Sequence, residues 1–273
     1  MTVDEWNQYL VTFHRTFDDT SSSFARFRDA QGRTSYEVLA QRLRELAPHA
    51  RDVLDVGCGD GTLLREISRV YAHPIALHGV DLSEAEVARA RAALPQATIR
   101  CADAAAGLGR ANEDAIVSHL SLMIVARIRA VLHNAAEALR PGGVLAFVAE
   151  DPGASDSIFT FVGSVFAAAR EQLSVLGAIP EQESLERDSV VFAVLAQTGF
   201  GDASIERFSV RASLRVEELW HFVERTYVVG LLDYDLREKL RALVVERARG
   251  LTGGDGHVAM SLPLRLVTAR LRA

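Results

Sequence analysis

The patterning of this chain predicts an α/β fold with a doubly wound, mostly parallel sheet, and three observations carry that expectation. Short strand-like stretches (Val53–Val56, Ala76–Asp81, Asp114–His119, Val144–Val148) recur, most of them apolar and each followed by a stretch with helical spacing. The turn after the first run, Gly57-Cys58-Gly59-Asp60-Gly61, has glycine at alternate positions and leads into the amphipathic Leu63–Val70. Strand, glycine turn and helix together bring a ligand close to backbone at a helix N-terminus. The second run closes on an acid, Asp81, 20 residues beyond Gly61. That is the place from which a carboxylate reaches the two hydroxyls of a ribose.

Composition narrows the classes. The chain has 273 residues, 49% of them hydrophobic and 24% charged, enough for one domain with elaborations. A formal net charge of -6 argues against a nucleic-acid backbone binder. The two cysteines, Cys58 and Cys101, have no metal-ligand spacing and imply neither a disulfide framework nor a zinc site. The acidic N-terminus lacks the pattern of a signal peptide, and no apolar run approaches the roughly 18 residues that span a bilayer. A soluble cytoplasmic protein without a metal is expected.

The elements follow in order. Thr2-x-x-Glu5 reads as a capping box opening a helix, with Trp6, Leu10, Phe13 and Phe17 on one face. Residues 18–33 read as a loop broken by a short helical piece, and Thr34-x-x-Glu37 opens a second helix that stops near Pro48. A helical leader, 1–50, thus precedes the first strand, Val53–Val56. After the second strand, Ala76–Asp81, Ser83 caps a helix over Glu84–Leu94. Ala97–Cys101 is a third strand and Asp114–His119 a fourth. A helix through Ile128, Val131, Leu132, Ala135 and Leu139 ends at Arg140-Pro141-Gly142-Gly143, before a fifth strand over Val144–Val148.

Beyond it, helices are expected over Ile158–Leu176, 187–199, Val216–Leu232 and Asp235–Arg249, with a strand over Ala203–Val210 and a last one over 257–271.

The first-strand acid with Gly-x-Gly-x-Gly, as Asp55, Gly57, Gly59 and Gly61, resembles the first motif of class I S-adenosylmethionine-dependent methyltransferases. Asp81-Leu82-Ser83, Asp103-Ala104 and Leu139-Arg140-Pro141-Gly142-Gly143-Val144-Leu145 resemble later features of that family in the right order, over residues 53–145. The resemblance implies a Rossmann-like seven-stranded sheet whose last strand is antiparallel, a methyltransferase domain over 51–273, and substrate-pocket insertions at about 151–186 and 211–256. It also implies S-adenosylmethionine as cofactor and S-adenosylhomocysteine as product. The cofactor would be held by Asp55, Gly57, Cys58, Gly59, Asp81, Leu82, Asp103, Ala104 and His119, with Asp103 taking the adenine amine.

His119, following the fourth strand, is a candidate base with a pKa range suited to neutrality, or else a contact for the methionyl end. The leader is either a lid over the cofactor or a packing helix. Tyr9, His14, Glu150, Trp220, Glu224 and Tyr227 are candidates for the lid or the substrate pocket.

Ser118-His119-Leu120-Ser121 stands where DNA amino-methyltransferases carry Asn/Asp-Pro-Pro-aromatic, which with the acidic total argues against nucleic acid, and the helical leader with the apolar, aromatic insertion favours a small, partly apolar acceptor. The layout resembles bacterial natural-product methyltransferases of secondary metabolism, with the indole C-methylating enzymes as one subgroup. Methylation of oxygen or nitrogen on another small metabolite is the alternative. A non-catalytic methyltransferase-like subunit is the rival from another class, and a homo-oligomer is a further expectation. A nicotinamide dehydrogenase is excluded because Thr62 stands where its last glycine is needed; an NTPase is excluded because no Gly-Lys-Ser/Thr follows.

Overall fold

The computed structural model describes residues 1–17, 20–109, 112–152, 154, 157–168, 185 and 187–272, with only the backbone described at 159 and 166–168. The chain runs α1 (Val3–Thr16), α2 (Thr20–Phe24), α3 (Ser35–Leu46), β1 (Asp52–Val56), α4 (Thr62–Val70), β2 (Ala76–Asp81), α5 (Glu84–Ala93), β3 (Thr98–Cys101), β4 (Glu113–His119) and α6 (Ile128–Ala138). It continues through β5 (Leu139–Glu150), α7 (Ile158–Ala168), α8 (Asp188–Gln197), β6 (Phe200–Arg215), α9 (Val216–Glu224), α10 (Tyr227–Gly230), α11 (Tyr234–Arg249) and β7 (His257–Leu271).

The seven strands form one sheet in the order β3-β2-β1-β4-β5-β7-β6. β1 to β5 are parallel, and β7 is antiparallel to β5 and β6. This is the expected Rossmann-like sheet with an antiparallel last strand. Alternate strand residues feed two cores. Val53, Ala115, Val117 and Val144 pack with α3 and α4 on one face, while Leu54, Ile116, Leu145 and Phe147 pack with α6 and α8 on the other. Burial on both faces explains the unbroken apolar runs.

Both capping boxes form: Thr2 with Glu5 at α1 and Thr34 with Glu37 at α3. Ser83 caps α5 as expected.

Three boundaries move. β6 extends to Arg215, paired with His257, so 211–215 belong to the sheet and the insertion starts at Val216. The helix expected over Val216–Leu232 breaks after Glu224, where the Thr226 hydroxyl donates to the Val223 carbonyl at 2.8 Å. A β-branched hydroxyl that satisfies a last-turn carbonyl competes with continued helix. β5 starts already at Leu139, with a register shift between Glu113 and Ala115 on β4 absorbing the Pro141-Gly142-Gly143 segment. The expected helix end over 169–176 and most of the insertion at 151–186 lie outside the described residues.

Candidate functional site

The carboxyl ends of β1 to β5 border one cavity of about 620 Å³, roofed by α1, by the segment around α2 and by α10. The volume falls within the ~300–1,000 Å³ of small-molecule sites.

The glycine turn forms its floor. Gly57, Gly59 and Gly61 have φ of +71°, +51° and +82°. Beyond β4 the chain takes a left-handed turn at Leu120, φ +53°, which carries Ser121 over the glycine turn. A Cβ on Gly57 would stand 1.8 Å from the Ser121 hydroxyl oxygen, so that position has no room for a side chain.

The turn's amides differ from the expectation of a bare cradle. Gly57 and Cys58 N–H both donate to the Val80 carbonyl, at 2.8 and 3.1 Å, and Gly61 N–H donates to the Cys58 carbonyl at 3.0 Å. Gly59 N–H donates to Asp81 Oδ2 at 2.9 Å. Gly57, Cys58 and Gly59 thus tie the turn to β2, and Gly61 closes it on itself.

Three acids line it in strand order: Asp55 on β1, Asp81 on β2 and Asp103 after β3. Asp55 is 1% exposed, and its Oδ1 has no hydrogen-bond partner. Burial, with Asp81 and Asp60 nearby, raises its pKa well above the usual aspartate value. Asp81 accepts from Ser83 N–H as well as from Gly59, and burial still raises its pKa. Asp103 Oδ1 accepts from Ala105 N–H at 2.8 Å; its Oδ2 accepts from Asn7 at 3.4 Å and from Arg127 at 3.3 Å. Cys58, Leu82 and Ala104 also line the cavity.

The leader closes over this rim. Trp6 Nε1–H donates to the Ile124 carbonyl at 2.8 Å. His14 Nδ1 lies 3.1 Å from Glu86 Oε1, and its Nε2 shares a 3.0 Å hydrogen bond with the Tyr227 hydroxyl, so one imidazole joins α1, α5 and α10. Burial disfavours the Glu86 carboxylate, but bonds from His14 and Arg89 outweigh that and hold its pKa below the usual glutamate value.

His119 ends β4 inside the cavity, stacked on Tyr36 with ring centroids 3.8 Å apart. Its Nε2 lies 2.8 Å from Ser35 Oγ. Burial pushes its pKa down to about 3, so the expectation of a base poised near neutrality is not met: the ring is neutral and a weak proton acceptor. Glu150, at the end of β5, also lines the cavity, and burial raises its pKa to about 7, against the opposing charge of Arg265.

Of the remaining candidates, His14 and Tyr227 line the cavity. Tyr9 does not; its hydroxyl donates to the Tyr227 carbonyl and supports α10 from outside the cavity wall. Trp220 is packed in the core, 3% exposed, because its α9 face turns toward the sheet. Glu224 is engaged with His221 and Arg225 rather than lining the cavity. Sequence reading missed Asn7, Ser35, Tyr36, Glu86 and Ser121. Each acts across a long sequence separation, with no local motif to mark it.

A family profile described as a methyltransferase domain matches residues 53–143, the segment from β1 into the start of β5. Over that segment the chain is similar to methyltransferase domains.

Among curated relatives, the chain is similar to trans-aconitate 2-methyltransferase from Delftia acidovorans, 34% identical over 131 residues, covering 47% of each chain. It is also similar to the dTDP-3-amino-3,4,6-trideoxy-alpha-D-glucopyranose N,N-dimethyltransferase of Streptomyces venezuelae, 35% identical over 112 residues, 39% of this chain and 46% of that one. The chain thus spans about half the length of the curated relatives it matches. Haemonchus contortus phosphoethanolamine N-methyltransferase 2, solved with phosphomonomethylethanolamine and S-adenosylhomocysteine, shares the fold at a TM-score of 0.58 and 17% identity. That match covers 98% of this chain and 60% of the other. Among the described residues no group of three or more His, Cys, Asp and Glu side chains could hold a metal, and no helix is long and apolar enough to cross a membrane.

Proposed function

We propose that this chain binds S-adenosylmethionine along the rim of β1 to β3 and transfers its methyl group to a small acceptor. The observation that carries the reading is the buried, unpartnered Oδ1 of Asp55 beside Asp81 and Asp103. A cation entering there would relieve a carboxylate that has lost water without gaining a partner. The α-ammonium of the methionyl end is such a cation. Asp81, its carboxylate fixed by two amides, would take the ribose hydroxyls, and the Asp103 loop the adenine.

The sulfonium is already activated, so the protein's contribution is orientation, which can supply ~7–11 kcal/mol. In this reading His119 is a neutral wall held by Ser35 and Tyr36 beside the methionyl end, not the base. An indole acceptor that relied on His119 for its ring N–H proton therefore has no support in the arrangement. α1 acts as the lid, latched by His14. The relatives named for trans-aconitate and for an amino sugar are named for small molecules, in keeping with a cavity of this size.

Equilibrium dialysis with labelled S-adenosylmethionine tests the proposal. Saturable one-site binding is expected in the wild type, and wild-type protein that retains no label would end it.

A further inference from the structure

The order of strands also says what lies next to the reacting methyl. In the reading above, adenine, ribose and methionyl groups occupy the ends of β3, β2 and β1. The next strands along the rim are β4, ending at His119, and β5, ending at Glu150. The cavity wall includes the apolar side chains Leu120, Val162 and Phe222, which pack in the same core as Val117 of β4 and Val148 of β5.

Besides Asp55, Asp81 and Asp103, the acidic and arginine side chains that line the cavity are Glu150 and Arg225. Arg225 is already satisfied. Its Nη1 donates to the His221 carbonyl at 3.0 Å and to Glu224 at 3.2 Å, and its guanidinium carbon lies 5.7 Å from the Phe17 ring centre. The Glu150 carboxylate takes no hydrogen bond or ion pair among the described residues. Arg265, buried beside it on β7, donates to the Glu150 backbone carbonyl at 3.0 Å, to the Leu185 carbonyl at 2.7 Å and to Asp188 at 3.0 Å. The acceptor end therefore offers one unsatisfied negative group in apolar surroundings, next to where the methyl would stand.

We propose that the acceptor is an amine with an apolar body, and that Glu150 both docks its ammonium and takes the proton that frees the nitrogen lone pair. This deepens the methyl-transfer reading and rests on it. The step balances. The ammonium gives one proton to the Glu150 carboxylate, and the freed pair forms the N–C bond. The C–S bond breaks with its electrons left on sulfur, giving the thioether and a methylated ammonium. An unpaired carboxylate in such a wall attracts a cation and disfavours a polycarboxylate. Its proton affinity lies within a few powers of ten of an alkylamine's, near the ~10.4 of lysine, and far from that of an unactivated hydroxyl.

Titration calorimetry on the full chain saturated with S-adenosylhomocysteine tests the assignment with three probes of one shape: benzylamine, benzyl alcohol and benzoate. Benzylamine is expected to bind at least ~10-fold tighter than the other two, a difference of about 1.4 kcal/mol. Glu150→Gln should abolish that preference while leaving affinity for S-adenosylhomocysteine unchanged, which also shows that the variant is folded. Glu150→Asp, which keeps the charge on a shorter arm, should retain a weakened preference. Equal or tighter binding of benzyl alcohol or benzoate, no binding of any probe, or an undiminished amine preference in Glu150→Gln would each overturn the assignment. A wild type that does not bind S-adenosylhomocysteine would instead refute the methyl-transfer reading itself.

Discussion

The two ends of the rim cavity are built by different means. At the β1–β3 end, the acids and glycines sit in short local motifs, and their geometry is closed by backbone: Gly57, Cys58 and Gly59 bond to β2, and Asp81 is held by two amides. At the β4–β5 end, side chains from distant segments meet. Ser35 and Tyr36 of α3 hold His119, and Arg265 of β7 flanks Glu150. The first end is thus held by main-chain hydrogen bonds. The second has an open carboxylate, Glu150, near apolar side chains of α7 and α9.

If that contrast is right, damage to the glycine turn should be the most severe. Gly57→Ala combines a left-handed backbone, costing ~1–2 kcal/mol, with overpacking against Ser121 worth ~1–3 kcal/mol. Chemical denaturation should show a loss of roughly 2–5 kcal/mol. Gly59→Ala, with nothing closer than 3.7 Å, should lose only the backbone share. Similar losses at both positions would mean that Ser121 does not close the turn.

Next in size is Asp81→Asn, which replaces charge-assisted bonds worth ~1.5–3 kcal/mol and should weaken cofactor binding by about 10–100-fold. The acceptor-end probes should be unaffected in protein saturated with S-adenosylhomocysteine.

The β4–β5 end should reveal itself by pH. Glu150 titrates at about 7 in the fold and near its ordinary 4.5 when unfolded. The unfolded chain therefore sheds that proton first, and stability falls as pH rises from 4.5 to 7. Glu150→Gln should remove that slope, on the order of 1–3 kcal/mol across the window. His119 has the opposite sign. Its pKa drops from 6.5 to about 3, so stability present above 6.5 is lost as pH falls toward 3, and His119→Gln should flatten that limb. Denaturation midpoints at several pH values for the wild type and both variants measure the two slopes separately.

The smallest effect belongs to the latch. His14→Ala breaks the bonds to Glu86 and Tyr227, about 0.5–1.5 kcal/mol each, and should speed cofactor release by roughly 3–10-fold in stopped flow. An unchanged release rate would make α1 a packing helix.

The same contrast explains what was legible in the sequence. The parallel strands and the placing of Asp55, Asp81 and Asp103 at their ends were readable because each depends on residues within a few positions of one another, whereas the antiparallel last strand came from the family resemblance. The capping boxes of α1 and α3 were readable for the same reason. The neutrality of His119 was not, because its cause is burial under Tyr36, 83 positions earlier in the chain. Trp220 and Glu224 looked like pocket residues because composition does not say which way a helix face turns; α9 turns Trp220 into the core and leaves Glu224 paired with His221 and Arg225. That the amides of Gly57, Cys58 and Gly59 bond to β2 was not legible either, because their partners lie more than 20 positions away.

The central claim is that a carboxylate-lined rim holds an adenosyl ligand, and titration calorimetry with S-adenosylhomocysteine on wild type and Asp81→Asn tests it most directly. The account predicts one site per chain in the wild type and an affinity about 10–100-fold lower in the variant. Equal affinity in both, or no heat in the wild type, would contradict it.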